Sequence, residues 1–158
     1  DNNYVIVVAG NGSQLNNCIK LSKSLGLQIG TDIIFYREWP KEETLSLLSL
    51  ADLLILPTSK NQALYSVPSK IYSYMYSGKP ILAFGIKDSE LGVIIEDSKC
   101  GWILESDDPN TISNEIIDIF QYKIGDKNNI FDGAKYLEQE FSRNKNLNKY
   151  IELIESLL

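Results

Sequence analysis

Leu53-Leu54-Ile55-Leu56-Pro57, then Ser69-Lys70-Ile71-Tyr72-Ser73-Tyr74-Met75-Tyr76-Ser77, Gly78-Lys79-Pro80 and Ile81-Leu82-Ala83-Phe84 are the pieces of sequence that decide the fold. A short apolar run ended by proline reads as a core strand. The segment broken by Gly-Lys-Pro reads as a helix, and a second apolar run follows at once. Strand, helix, strand at this spacing predicts a crossover between parallel strands.

The same alternation extends outward in both directions. Upstream, Tyr4–Ala9 is a near-continuous apolar run, expected of a strand covered on both faces. Gly10-Asn11-Gly12 turns the chain, and Ser13 is placed to cap a helix carrying Leu15, Ile19, Leu21 and Leu25. Residues 32–36 read as the next strand, and Pro40 opens a helix whose first turn holds Glu42 and Glu43. Downstream, residues 89–97 are expected to be helical and Gly101–Leu104 a short last strand. Helices should follow from Pro109 to Phe120, over Gly133–Glu140 and over Leu147–Leu157, the last with an apolar stripe expected to pack on the domain's own core. Residues 125–129 read as a surface loop. The pattern predicts an α/β fold, a Rossmann-like doubly wound parallel sheet with helices on both faces, forming one domain over residues 1–158.

Bulk properties narrow the function. The 158 residues are 44% hydrophobic and 23% charged, with a net charge of -6 and no histidine. An acidic surface is unsuited to nucleic acid or an anionic membrane, because phosphate binding needs dense positive charge. Lack of histidine removes the commonest general base and metal ligand, so any catalytic part this chain takes is expected to use other groups. Cys18 and Cys100 lie far apart in no CxxC pattern and are expected to be buried free thiols. No apolar run reaches the length of a membrane span. The chain opens directly into its first strand, as expected of a fragment excised from a longer protein.

In an open parallel sheet, ligands sit beyond the carboxyl ends of the strands. That rule selects the loops at residues 10–13, 37–40, 57–69 and 84–90. Gly10 and Gly12 begin a dinucleotide-type fingerprint, but Leu15 stands where its third glycine would be, so a tight turn explains them more simply. Arg37, Glu38 and Trp39 end the second strand, where the indole could lie beside a nucleobase or pack on the protein. The loop after Pro57 ends in Ser66-Val67-Pro68-Ser69-Lys70. A helix starting there would aim backbone N–H groups, the Ser69 hydroxyl and the Lys70 charge at the crevice, a diphosphate site. On composition alone, a plain capping serine and a solvated lysine explain the turn more economically. Tyr65, Tyr72, Tyr74 and Tyr76 are read mostly as partly buried packing residues.

The run Ala51-Asp52-Leu53-Leu54-Ile55-Leu56-Pro57, with Val67-Pro68-Ser69-Lys70-Ile71-Tyr72 and Gly78-Lys79-Pro80-Ile81, resembles the C-terminal domain of family 4 glycosyltransferases of the GT-B type. It is most similar to the bacterial branch that makes surface polysaccharides. Val7–Gly12, Cys100–Leu104 and Asp107-Asp108-Pro109 are similar to that family too, so the likeness spans nearly the whole chain.

The resemblance implies a nucleotide-diphosphate sugar donor, with a UDP-sugar favoured, held here while a glycan or lipid-linked acceptor binds an N-terminal domain absent from this chain. It implies sugar transfer with retention at the anomeric carbon, no metal and no other cofactor. Lys70 would stabilise the leaving diphosphate, helped by Val67 and Ser69. The fragment alone should not turn over, and the full protein would be cytoplasmic, peripheral to the inner membrane through its other half. The family carries two glutamates on this loop and helix; aligned on Gly78-Lys79-Pro80, their places hold Tyr65 and Ser73. The family's basic pair would lie upstream of this chain. Two other readings stay open: a nucleotide-sugar epimerase of the same fold, or a degenerate, non-catalytic α/β binding module.

Overall fold

Five short strands, all paired in parallel, appear in the computed structural model, which describes residues 4–59, 62, 65–124, 126 and 131–157. They form two sheets, one in each of two units, Asp1–Thr44 and Leu45–Leu158. Each unit is described by itself.

In the first unit, β1 (Ile6–Ala9) pairs with β2 (Ile33–Tyr36), with Ile6 opposite Ile33 and Ala9 opposite Tyr36. α1 (Leu15–Ser24) connects them. Ser13 does not cap α1. The position falls to Gln14, which makes no side-chain capping bond, while the Leu15 N–H is taken by the Gly12 carbonyl at 3.0 Å. A two-stranded ribbon with one helix cannot enclose both faces of a strand. Ile33 is buried, while Ile6 and Val7 remain about half exposed, at 52% and 51%. Cys18, on α1, is exposed, against the expectation of two buried thiols.

A 3₁₀ turn at Lys41–Glu43 leads into α2 (Thr44–Ser49), replacing the single helix expected after Pro40. The second unit then builds a three-stranded sheet in the order β3 (Leu54–Leu56), β4 (Ile81–Phe84), β5 (Gly101–Leu104). Side chains alternate between faces along a strand. Ile81, Leu82 and Ala83 of the central β4 are all 0% exposed, so helices and loops cover that strand on both faces.

α3 (Lys70–Tyr76) connects β3 to β4 and buries Ile71 and Met75, one turn apart, in the core with Leu54, Leu56, Leu91, Ile94 and Ile95. Burial of an Ile or Met side chain of this kind contributes about 1.5–3 kcal/mol. Gly78, at φ +69°, ends the helix and returns its N–H to the Met75 carbonyl at 3.2 Å. α4 (Glu90–Ser98) starts on Ser89, whose hydroxyl accepts the Gly92 N–H at 3.2 Å.

α5 (Pro109–Asp118) starts on Asp108 and runs into a π-helical turn at Ile119–Lys123. Of the loop expected at residues 125–129, all but Asp126 lies outside the described residues. α6 (Gly133–Glu140) crosses α3 closely, and Gly133 explains how. A Cβ there would stand 2.9 Å from the Met75 Cβ and 3.1 Å from the Cys100 Cβ, too near for any other residue to fit unchanged. α7 (Arg143–Glu155) begins four residues earlier than the sequence pattern predicts, because Ser142 caps it by accepting the Lys145 N–H at 3.3 Å. Its apolar stripe does not join the domain's own core, against expectation. No residue of α7 is buried, and the helix that closes over α3 is α6, through Leu137.

Candidate functional site

The turn that leads into α3 is built by local hydrogen bonds. Ser66 is anchored through both its N–H (3.0 Å) and its hydroxyl (3.2 Å) to the Gln62 carbonyl, and the Gln62 N–H is held by the Ser59 hydroxyl at 3.2 Å. Val67 packs on the core and Pro68 is half-buried; the Pro68 carbonyl accepts the Ile71 N–H at 3.0 Å. These contacts fix where the exposed residues of the turn stand. Of the loop at residues 57–69, positions 60, 61, 63 and 64 lie outside the described residues.

Ser69 departs from the plain capping role. It adopts αR angles (φ -58°, ψ -22°), its side chain makes no capping bond, and it is exposed. An N-cap serine normally has extended angles that turn its oxygen back onto the helix N–H groups, and these angles do not. Among the described residues, the Ser69 hydroxyl and the Lys70 ammonium have no protein partner, and both side chains face solvent. Ser73 lies one turn further on. With a 3.6-residue repeat, Ser69 and Ser73 share the face opposite buried Ile71 and Met75, flanked by Lys70. Ser66, Ser69, Lys70 and Ser73 therefore place exposed hydroxyls and one cation along the turn and the first turn of α3. Tyr65 opens it, 86% exposed.

The other expected site residues belong to the first unit, at the carboxyl ends of β1 and β2. The Gly10 N–H continues the ladder to the Tyr36 carbonyl at 2.8 Å, and its φ of +156° is one that side-chain-bearing residues rarely adopt. Gly12 has no such angle, and a Cβ on either glycine would meet nothing within 4 Å. The turn needs glycine for backbone conformation at one position. Arg37 and Glu38 are exposed, while Trp39 is half-buried with its indole N–H donated to the Thr44 hydroxyl at 3.1 Å. That bond anchors the ring to the start of α2 and uses its one polar group. Of the tyrosines, Tyr72 and Tyr74 are half-buried as expected, Tyr72 with its ring 5.4 Å from Phe141, and burial raises the Tyr74 hydroxyl pKa. Tyr76, at 57% exposed, and Tyr65 do not pack in this way.

The family model described as glycosyl transferases group 1 matches residues 1–136, most of the chain. This chain is a group 1 glycosyltransferase domain. Among curated proteins it is 27% identical over 111 residues to a "Probable glycosyltransferase WbjE" of Pseudomonas aeruginosa, covering 70% of this chain and 27% of that protein. Among solved structures it is similar to WaaG, whose title describes "a glycosyltransferase involved in lipopolysaccharide biosynthesis". The TM-score is 0.60 at 16% identity, over 86% of this chain and 34% of that one. At that identity the likeness concerns the fold, an α/β arrangement of the GT-B kind. The chain spans about a third or less of the length of these relatives.

Membership implies a nucleotide-sugar donor and a glycan acceptor for the family's reaction. Among the described residues, no helix is long and apolar enough to cross a membrane, and no three His, Cys, Asp or Glu side chains group where they could hold a metal ion. Thr58 and the capping residues Ser89, Asp108 and Ser142 escaped the sequence reading. A serine or aspartate just before an apolar helical pattern was the available signal for the caps.

Proposed function

We propose that this chain is the C-terminal, donor-binding half of a GT-B transferase, with both units serving one nucleotide-sugar-binding domain. Its donor is a nucleotide-diphosphate sugar, most simply a UDP-sugar. The observation that carries the reading is the turn into α3, where, among the described residues, the Ser69 hydroxyl and the Lys70 charge stand without protein partners in a chain of net charge -6.

In this reading Lys70 and Ser69 hold the diphosphate. Charge on the leaving diphosphate grows as the glycosidic bond breaks, so a fixed cation there lowers the barrier more than it strengthens ground-state binding. The anomeric carbon passes from the departing nucleoside diphosphate to an acceptor hydroxyl with retention and without a metal. The acceptor, a glycan or lipid-linked glycan, binds a second domain outside this chain, and the full protein works in the cytoplasm at the inner membrane surface. Within the first unit taken by itself, Trp39, Gly10 and Gly12 are the residues proposed to contact the donor. Arg37 and Glu38 line the same strand ends as Trp39.

Calorimetric titration of the folded chain with UDP, GDP and their glucose conjugates tests this. Weak saturable binding of a uridine nucleotide is expected, reduced about tenfold by Lys70→Ala, in line with a charge-assisted contact to phosphate. A folded chain that answers to none of the four sinks the proposal; an unchanged affinity in Lys70→Ala removes that residue from the site.

One observation favours a second reading, a non-catalytic binding module: neither Tyr65 nor Ser73 is acidic. Nucleotide binding together with a full-length enzyme inert toward every donor it binds would select that reading.

A further inference from the structure

We propose that Thr58 is a positioning residue for the donor turn, using its hydroxyl to end the β3–β4 ladder and release the backbone into the loop that carries Ser66–Lys70. The proposal rests on the donor-site reading above but has a readout independent of it. In the β3–β4 pair the Leu54 N–H donates to the Pro80 carbonyl at 2.9 Å. A parallel ladder advances two residues at a time on each strand, so the backbone donor due opposite the Phe84 carbonyl is residue 58. The backbone does not fill that place. The half-buried Thr58 donates its side-chain hydroxyl to Phe84 instead.

The substitution of hydroxyl for amide has a geometric consequence. A backbone N–H at that point would hold residue 58 in the strand and continue the sheet. A hydroxyl satisfies the same carbonyl from one side-chain length away, so the main chain can turn off directly after Pro57. The next residue, Ser59, then takes the Gln62 N–H, and Gln62 takes Ser66 twice. Thr58 thus ties the carboxyl end of β4 to the start of a segment in which Ser59 bonds Gln62 and Gln62 bonds Ser66, just before the turn that presents Ser69 and Lys70. Removing its hydroxyl leaves a strand-end carbonyl unmatched, a state proteins avoid. The cheapest repair is for the residue 58 N–H to move in, which draws the loop toward the sheet and displaces the turn.

Thr58→Val removes the hydroxyl at nearly constant shape, and Thr58→Ser keeps it. The amide exchange rate of Ser66, referred to that of Ile81 in the core ladder, should rise about tenfold or more in Thr58→Val and stay near wild type in Thr58→Ser. UDP affinity should fall by roughly tenfold in the valine variant and return with serine. Unchanged Ser66 exchange in Thr58→Val overturns the proposal, whatever happens to the ligand. Faster exchange with unchanged UDP affinity overturns its link to the donor turn. If wild type binds no UDP or GDP, the donor reading fails, and the exchange comparison still decides whether Thr58 sets the loop.

Discussion

Replacing Gly133 with alanine should destabilise the second unit and misplace the helix that bears the donor turn. The new methyl would stand 2.9 Å from the Met75 Cβ, 3.1 Å from the Cys100 Cβ and 3.1 Å from the Met75 Cα. Ordinary carbon contacts begin near 3.5 Å, so α6 or α3 must move by several tenths of an ångström. Overpacking of this kind costs about 1–3 kcal/mol, while alanine regains up to about 1 kcal/mol of helix propensity. The net is a loss of roughly 1–2 kcal/mol, a lowering of Tm by about 3–10 °C.

A second variant tests the mechanism. Met75→Ala keeps the two atoms that the new methyl would strike, so Met75→Ala with Gly133→Ala should not rescue the loss; the two costs should roughly add. Thermal and urea unfolding of the four chains measures this. Rescue in the double variant, or a Gly133→Ala protein as stable as wild type, would refute the reasoning. Because Met75 and Lys70 belong to the same two-turn helix, UDP affinity should fall in Gly133→Ala as well.

Two other outcomes follow from the caps and the thiols. The Thr111 N–H and hydroxyl, each 2.8 Å from Asp108, hold that carboxyl below its ordinary pKa. A lowered folded pKa means the cap contributes fully above the ordinary carboxylate range and loses its contribution as pH falls through the folded value. Asp108→Asn should flatten this part of the acid-unfolding curve while keeping α5 capped; a curve identical to wild type would argue against the cap. For the thiols, an aromatic disulfide reagent should label Cys18 at once, whereas Cys100, buried with its pKa raised by that burial, should react only on unfolding. Rapid labelling of both in the folded chain would contradict the buried placement.

The strand-helix-strand core was legible because apolar runs leave a plain mark: Ile81–Phe84, buried on both faces, and the partly buried Gly101–Leu104 emerge with the boundaries their runs suggest. The helix starts were harder, since they depend on which polar side chain turns back to the backbone. Ser13 carries the right residue type yet Gln14 takes the position, while Ser142 caps α7 ahead of its apolar pattern. Period-based reading also shows that α7 has an apolar stripe without showing what lies against it. At the site, the Ser66–Ser73 surface follows from residue types and helical spacing. Thr58 does not, because its role depends on a partner 26 residues away in another strand.

If the glutamate places of the resembled family do fall at Tyr65 and Ser73, the proposed donor recognition shifts its burden along the ligand. A carboxylate accepts hydrogen bonds from ribose or sugar hydroxyls with charge assistance, roughly twice the strength of a neutral partner. Ser73 can form only the neutral bond, and Tyr65, 86% exposed, has no packing to fix its ring over a sugar. On the proposed donor reading, the groups left to hold the diphosphate are Lys70 by its ammonium, Ser69 by angles that free its hydroxyl, and Ser66 as the hydrogen-bonded base of the turn. A site with that balance would grip the part of the donor that every nucleotide sugar shares. On that reading, the choice of sugar would fall to groups other than these.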